Sequence, residues 1–221
     1  MSAIVLDLDD TLALEVDFVR SGFAAVAGFW VDHNPENDTR RRCWEAFQAS
    51  PRGVLGRVGR QLGLEDEVVR RAVDIYRTHR PRLSLCPDAA RMLERIPVDR
   101  LAVISDGDPR TQRQKVEALG LRDLVAIVIL TGETEGWGKP SDSPFRHVLS
   151  ELGADPRQSV YFGDNGSKDF VGPRVVGMRS VHVIRPQGVY RNVACPDDGL
   201  PNACVTDLDE GLDVIVSWGL L

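Results

Sequence analysis

Three carboxylates, Asp7, Asp9 and Asp10, close an apolar run that begins at Ala3. Ala3 to Leu6 reads as a strand buried on both faces, as in a parallel sheet. Such sheets present reactive groups just beyond the carboxyl ends of their strands. While the chain stays extended, Asp7 and Asp9 point to one side and Asp10 to the other. Two carboxylates held that close repel unless a cation or a shared proton lies between them. A divalent metal beside a carboxylate nucleophile is therefore the chemistry this spacing favours. A strand running into an Asp-rich turn is the plainer alternative.

Other apolar runs end in polar groups as well. Leu101 to Ile104 leads into Ser105-Asp106-Gly107-Asp108. A Ser there, with free backbone N–H groups in the following turn, can hold a phosphate oxygen; a turn before a proline-initiated helix reads the same way. Lys139 lies between Gly138 and Pro140, in a loop. It is either a solvated surface charge or a cation able to neutralise both a carboxylate and a phosphate. Asp164 is the first carboxylate past Val160 to Phe162, and Asp169 follows five residues later, where it can also serve as a helix-dipole cap. Taken as a set, Asp7, Asp9, Ser105, Lys139 and Asp164 suit phosphoryl transfer, because hard carboxylate oxygens bind magnesium and magnesium partners phosphates.

The elements that must position these groups follow from periodicity. From about Asp17 to Arg80 the pattern is helical, with Phe18, Phe23, Val26 and Trp30 on one face, and further helices over Thr39 to Ala49, Val54 to Leu62 and Asp66 to His79. Beyond Pro87, helix and strand alternate. Helices are expected over Pro87 to Ile96, Pro109 to Leu119, Pro144 to Leu152, Ser167 to Val176 and Leu208 to Trp218. Strands are expected over Leu101 to Ile104, Leu124 to Leu130, Ser159 to Phe162, Ser180 to Ile184 and near Cys204. The alternation predicts an α/β domain with a parallel sheet, made from residues 1–14 and 82–221 and interrupted by an all-helical insertion over 15–81.

The ordered motifs Asp7-Leu-Asp9-Asp10-Thr11-Leu12, Ser105-Asp106-Gly107, Lys139-Pro140 and Gly163-Asp164-Asn165 with Lys168-Asp169 resemble those of the haloacid dehalogenase superfamily, in its phosphatase-like branch. The resemblance spans essentially the whole chain, with the helical insertion standing where that family carries a small cap. It differs at Asp106, where relatives often have Asn. The resemblance implies a Rossmann-like parallel core and a Mg2+-dependent phosphomonoesterase acting on a small phosphorylated metabolite. Asp7 would be the nucleophile that forms an aspartyl phosphate. Asp9 would be the acid and then the base, Lys139 the charge-neutralising cation, and Ser105 with the N–H of Asp106 the phosphate site. The metal would be held by Asp7, the backbone carbonyl of Asp9 and Asp164, with Asp169 direct or behind a water. The superfamily's dehalogenases attack carbon and lack an acid at the position of Asp9, so its presence favours phosphorus chemistry. A phosphomutase or phosphotransferase, or a silent relative that binds a ligand or protein, are the alternatives.

As a cap, the insertion would close over the site and select the substrate. Arg20, Arg52, Arg57, Arg60 and His79 are its candidates for the leaving group, while Trp30, Trp44 and Phe47 fit the insertion's own core. Glu15 and Asp17 could line the opening. The bulk composition is that of an ordinary globular chain: 221 residues, 43% hydrophobic, 27% charged, formal net charge −6. That balance offers no general attraction to nucleic acid or anionic membrane. No apolar stretch reaches the ~20 residues of a membrane span, and there is no leader pattern at the N-terminus, so a cytoplasmic location is expected. Cys43, Cys86, Cys195 and Cys204 are scattered and read as reduced thiols. Nothing in the sequence sets the oligomeric state.

Overall fold

Six short runs rich in Val, Ile and Leu form the sheet: β1 (Ile4–Leu6), β2 (Leu101–Ser105), β3 (Ile127–Leu130), β4 (Val160–Gly163), β5 (Arg179–Val183) and β6 (Ala203–Val205). The computed structural model describes residues 1–33 and 38–221. All five strand pairings are parallel, in the order β3-β2-β1-β4-β5-β6. This is a doubly wound sheet whose strand order reverses between β1 and β4, and the crevice at such a reversal is where ligands bind.

Strand periodicity of two divides the sheet residues between two cores. Ile4, Leu6, Val103, Val160 and Phe162 pack with α5 (Pro87–Arg95) and α10 (Leu208–Ser217). Val5, Ala102, Ile104 and Tyr161 pack with α8 (Ser143–Glu151). Both faces are therefore covered, which is why the strands read as continuous apolar runs. Gly211 lets α10 lie close to the sheet, since a Cβ there would sit 2.7 Å from the Phe162 ring. The crossovers are completed by α6 (Pro109–Ala118), the single-turn α7 (Leu121–Leu124) and α9 (Val171–Val176).

The chain forms two compact units, Met1–Val16 with Leu83–Leu221, and Asp17–Arg82. The second unit comprises most of α1 (Glu15–Trp30) together with α2 (Thr39–Ala49), α3 (Val54–Gln61) and α4 (Asp66–Thr78). It has its own core of Val19, Phe23, Val26, Trp30, Cys43 and Val58, with Trp44 and Phe47 packed against it.

Two elements differ from the sequence expectation. The strand expected over Leu124 to Leu130 begins only at Ile127. Gly120, at φ +63, ends α6 and starts α7, which buries Leu121 and leads on to β3. The helix expected from Ser167 begins at Val171. Ser167 to Phe170 are instead a turn, because Asp169 turns back to accept the N–H of Asn165 at 2.8 Å. Asp169 thus stands before the helix rather than in its first turn.

Candidate active site

Asp7 directly follows β1, its N–H bonded to the Phe162 carbonyl of β4 at 2.8 Å. Across the reversal point Asp164 follows β4, and His182 of β5 holds the Asp164 carbonyl at 2.8 Å. The turn before α9 brings Asp169 to the same place. One carboxylate oxygen from each of Asp7, Asp164 and Asp169 falls within a 4.8 Å group, and all three residues are buried.

Lys139 is the cation of this cluster. Its Nζ lies 2.9 Å from Asp7 Oδ1 and 2.8 Å from Asp169 Oδ1, and donates to the Tyr161 hydroxyl at 2.8 Å. One ammonium therefore bridges two of the three carboxylates. Burial raises Asp7 to about 6, with Lys139 opposing the rise. Burial, then the charges of Asp169 and Asp7, push Asp164 well above the usual carboxylate range. Burial works against the charge on Lys139, but Asp169 and Asp7 hold its pKa well above that of a free lysine.

Asp9 is turned elsewhere. Its Oδ1 accepts from Lys115 Nζ at 2.6 Å and its Oδ2 from Gln112 Nε2 at 2.9 Å, both on α6. Lys115 also donates to Glu15 Oε2 at 2.6 Å. Burial alone would raise Asp9; Lys115 and the hydrogen bonds around it bring it below the usual range. Glu15, buried beside Asp9, is pushed up to about 8. Asp10 lies in the left-handed region at φ 51. It accepts the N–H groups of Glu15 and Val189 at 2.9 and 2.7 Å and so ties down the turn.

Ser105 is buried, its hydroxyl 2.5 Å from Gln112 Nε2. The Asp106 carboxylate accepts from Lys168 Nζ (2.8 Å), Thr131 Oγ1 (2.6 Å) and the Lys139 N–H (3.2 Å), so it braces the lysine loop. Over these groups lies a cavity of about 290 Å³ whose lining includes Asp7, Asp9, Asp106, Asp164, Lys168 and Tyr190. Ser105, Lys139 and Asp169 are not among its lining residues.

The structure thus gathers Asp7, Asp164, Asp169 and Lys139 into one cluster and sets the Asp9 carboxylate in a second. Of the candidates named in the insertion, Arg57, Arg20, His79 and Asp17 are engaged inside their own unit. Arg57 reaches the carbonyls of Ala46 and Ser50 at 2.8 and 2.6 Å, and Arg20 stacks on Trp44 at 4.7 Å. His79 bonds Tyr76 and Ser21, and Asp17 pairs with Arg20. Arg52 and Arg60 are exposed. Sequence reasoning passed over Gln112 and Lys115. Their signal is a three-residue spacing that puts both on one face of the helix after β2.

A buried acid cluster with a fixed lysine, at the strand reversal of a parallel sheet, is the site of an α/β enzyme. Residues 1–177 match the model of the haloacid dehalogenase-like hydrolases, and the chain belongs to that family. It is 33% identical over 139 residues to a phosphoserine phosphatase of Thermus thermophilus, an alignment covering 62% of this chain and 55% of that protein. The chain spans about half or less of the length of the curated relatives it matches above 30% identity. Its fold is that of a 2-haloacid dehalogenase from Pseudomonas syringae (TM-score 0.66, 24% identity, 99% of this chain and 100% of that one). A HAD phosphatase from Thermococcus onnurineus shares it too (TM-score 0.60, 21% identity, 97% and 98%).

Proposed function

We propose that the protein is a Mg2+-dependent phosphomonoesterase of the cytoplasm that acts on a small phosphorylated metabolite through an aspartyl phosphate on Asp7. The observation that carries this is the imbalance at the reversal point: three buried carboxylates gather there, and Lys139 pairs with two of them, Asp7 and Asp169. Asp164 Oδ2 is buried there without a hydrogen-bond partner. An all-oxygen donor set with surplus negative charge fits a small divalent cation. Asp7 and Asp164 would hold it with the Asp9 carbonyl, and Asp169 would join directly or through a water. Bound there, magnesium would supply charge neutralisation for the phosphoryl oxygens.

The chain's own groups account for the rest. The Asp7 carboxylate, ionised for the most part at neutral pH, attacks phosphorus. Lys139 offsets the charge that Asp7 and the phosphoryl group bring together. Ser105 and the N–H of Asp106 hold phosphoryl oxygens. Asp9 gives a proton to the leaving oxygen and then takes one from the water that cleaves the aspartyl phosphate. The helical unit would serve as the cap that selects the substrate. The phosphoserine phosphatase relationship supports a small substrate.

Release of phosphate from 4-nitrophenyl phosphate, with and without magnesium, tests the reading. Asp7→Asn is expected to lose at least about 10³-fold in kcat, a loss in the range seen when a nucleophile is removed, while the exposed control Glu94→Gln keeps its rate. Isomerised sugar phosphate without free phosphate would replace hydrolysis by a mutase reaction.

A further inference from the structure

Both oxygens of the Asp9 carboxylate are taken by donors on α6: Oδ1 by the Lys115 ammonium at 2.6 Å and Oδ2 by the Gln112 amide at 2.9 Å. Lys115 is 2% exposed and Asp9 25% in their side chains, and Asp9 lines the cavity together with both of its donors. An ammonium is costly to bury without partners; here it is held between Asp9 and Glu15. Gln112 is further fixed by Ser105 Oγ at 2.5 Å. Two donors on two oxygens fix both the rotamer and the plane of the carboxylate.

We propose that Lys115, seconded by Gln112, is a positioning residue that aims Asp9 at the water which hydrolyses the aspartyl phosphate. The inference rests on the assignment of Asp9 as acid and base given above. In that step a water O–H bond breaks and its proton passes to Asp9. The water oxygen bonds to phosphorus, and the bond from phosphorus to the Asp7 oxygen breaks, releasing phosphate and the free Asp7 carboxylate. A correctly aimed carboxylate is worth most here, because the attacking water is bound by nothing but its hydrogen bonds.

The experiment is a pre-steady-state burst measurement with 4-nitrophenyl phosphate, whose good leaving group makes little demand on an acid. Lys115→Met is expected to release about one nitrophenolate per enzyme rapidly and then turn over at least tenfold slower than wild type. The protein label should be stable in acid and released by hydroxylamine. Gln112→Ala, the milder variant, should show the same burst with a smaller slowing. A merely structural lesion lowers the burst together with the steady rate, and that pattern, or an unchanged steady rate, overturns the proposal. Asp9→Asn separates the two claims. If it stalls after a burst while Lys115→Met does not, only the role of Lys115 falls. If Asp9→Asn keeps the wild-type steady rate, the base assignment falls and takes Lys115 with it.

Discussion

Asp164, in its proposed role as a metal ligand, shows how such a residue can work against the stability of the protein that carries it. Its Oδ2 is buried with no partner, and Asp169 and Asp7 add repulsion to the burial that raises its pKa. A carboxyl with a raised folded value costs nothing below its ordinary pKa of 3.8 and destabilises progressively as pH rises toward the folded value. Asp164→Asn should therefore stabilise the metal-free protein at pH 7–8 by roughly 1–3 kcal/mol, the usual cost of an unsatisfied buried group, with the difference vanishing below pH 4. Magnesium should raise the melting temperature of the wild type, by about 2.7 kcal/mol of stability at a hundredfold excess over Kd, and not that of the variant. Thermal melts in EDTA and in magnesium give both numbers. A variant no more stable than wild type in EDTA counts against the surplus-charge picture.

At the scale of elements, the turn after β1 is tied to a buried ion pair far away in sequence. Arg185, after β5, donates to Asp88 of α5 at 2.7 Å and to the Thr11 carbonyl at 2.6 Å. The same Asp88 accepts the N–H of Leu208 at the start of α10 at 2.7 Å. Four segments meet on one carboxylate–guanidinium pair. Burial opposes the charge on Asp88, but Arg185 and the Leu208 N–H hold its pKa below the ordinary value. Its contribution is complete above the unfolded pKa and is lost as pH falls through the lowered folded one. Asp88→Ala strands a buried guanidinium and should cost roughly 3–5 kcal/mol at pH 7. The gap to wild type should close as the pH falls below 4 in urea titrations. A gap that persists unchanged at pH 2 would show that the loss is one of packing.

The same scale explains what was legible in the sequence. Strand-end carboxylates such as Asp7 and Asp164 announce themselves because in a parallel sheet reactive groups stand just past the carboxyl ends of apolar strands. The turn at Ser167 to Phe170 did not, since the Asp169 to Asn165 bond competes with a helix whose composition is otherwise acceptable. Lys115 and Gln112 carried no such signal, because polar side chains on a helix ordinarily face solvent. Only the packing of that helix beside Asp9 and Glu15 buries them. Arg185 and Asp88, 97 residues apart, carried no local signal of their pairing.

Over the whole molecule, charge and cores are both divided. Residues 17–82 contain twelve arginines, no lysine and nine carboxylates, a formal +3, which leaves −9 on the rest of the chain. Under the proposed function, a basic unit would favour an anionic substrate that the acidic remainder of the chain repels. No helix among the described residues is long and apolar enough to cross a membrane. Each unit also has its own buried cluster, so each should open on its own. Trp30, fully buried in the helical core, is the probe. Trp30→Ala should cost roughly 3–5 kcal/mol and speed amide exchange throughout α1 to α4 while the six strands keep their protection. Equal losses in both units would mean that they unfold as one.

The place of β1 carries a consequence for how the chain is made. This strand comes first in sequence yet lies in the middle of the sheet, between β2 and β4. Its neighbours on the two sides begin at Leu101 and Val160. During synthesis β1 emerges long before either exists, and an apolar strand with two open edges is prone to wrong pairings. The helical unit, contiguous over Asp17–Arg82, can finish folding in that interval. By the time β2 is available, the intervening chain is a compact body rather than a long loose loop, which lowers the entropy that β1 must overcome to reach it.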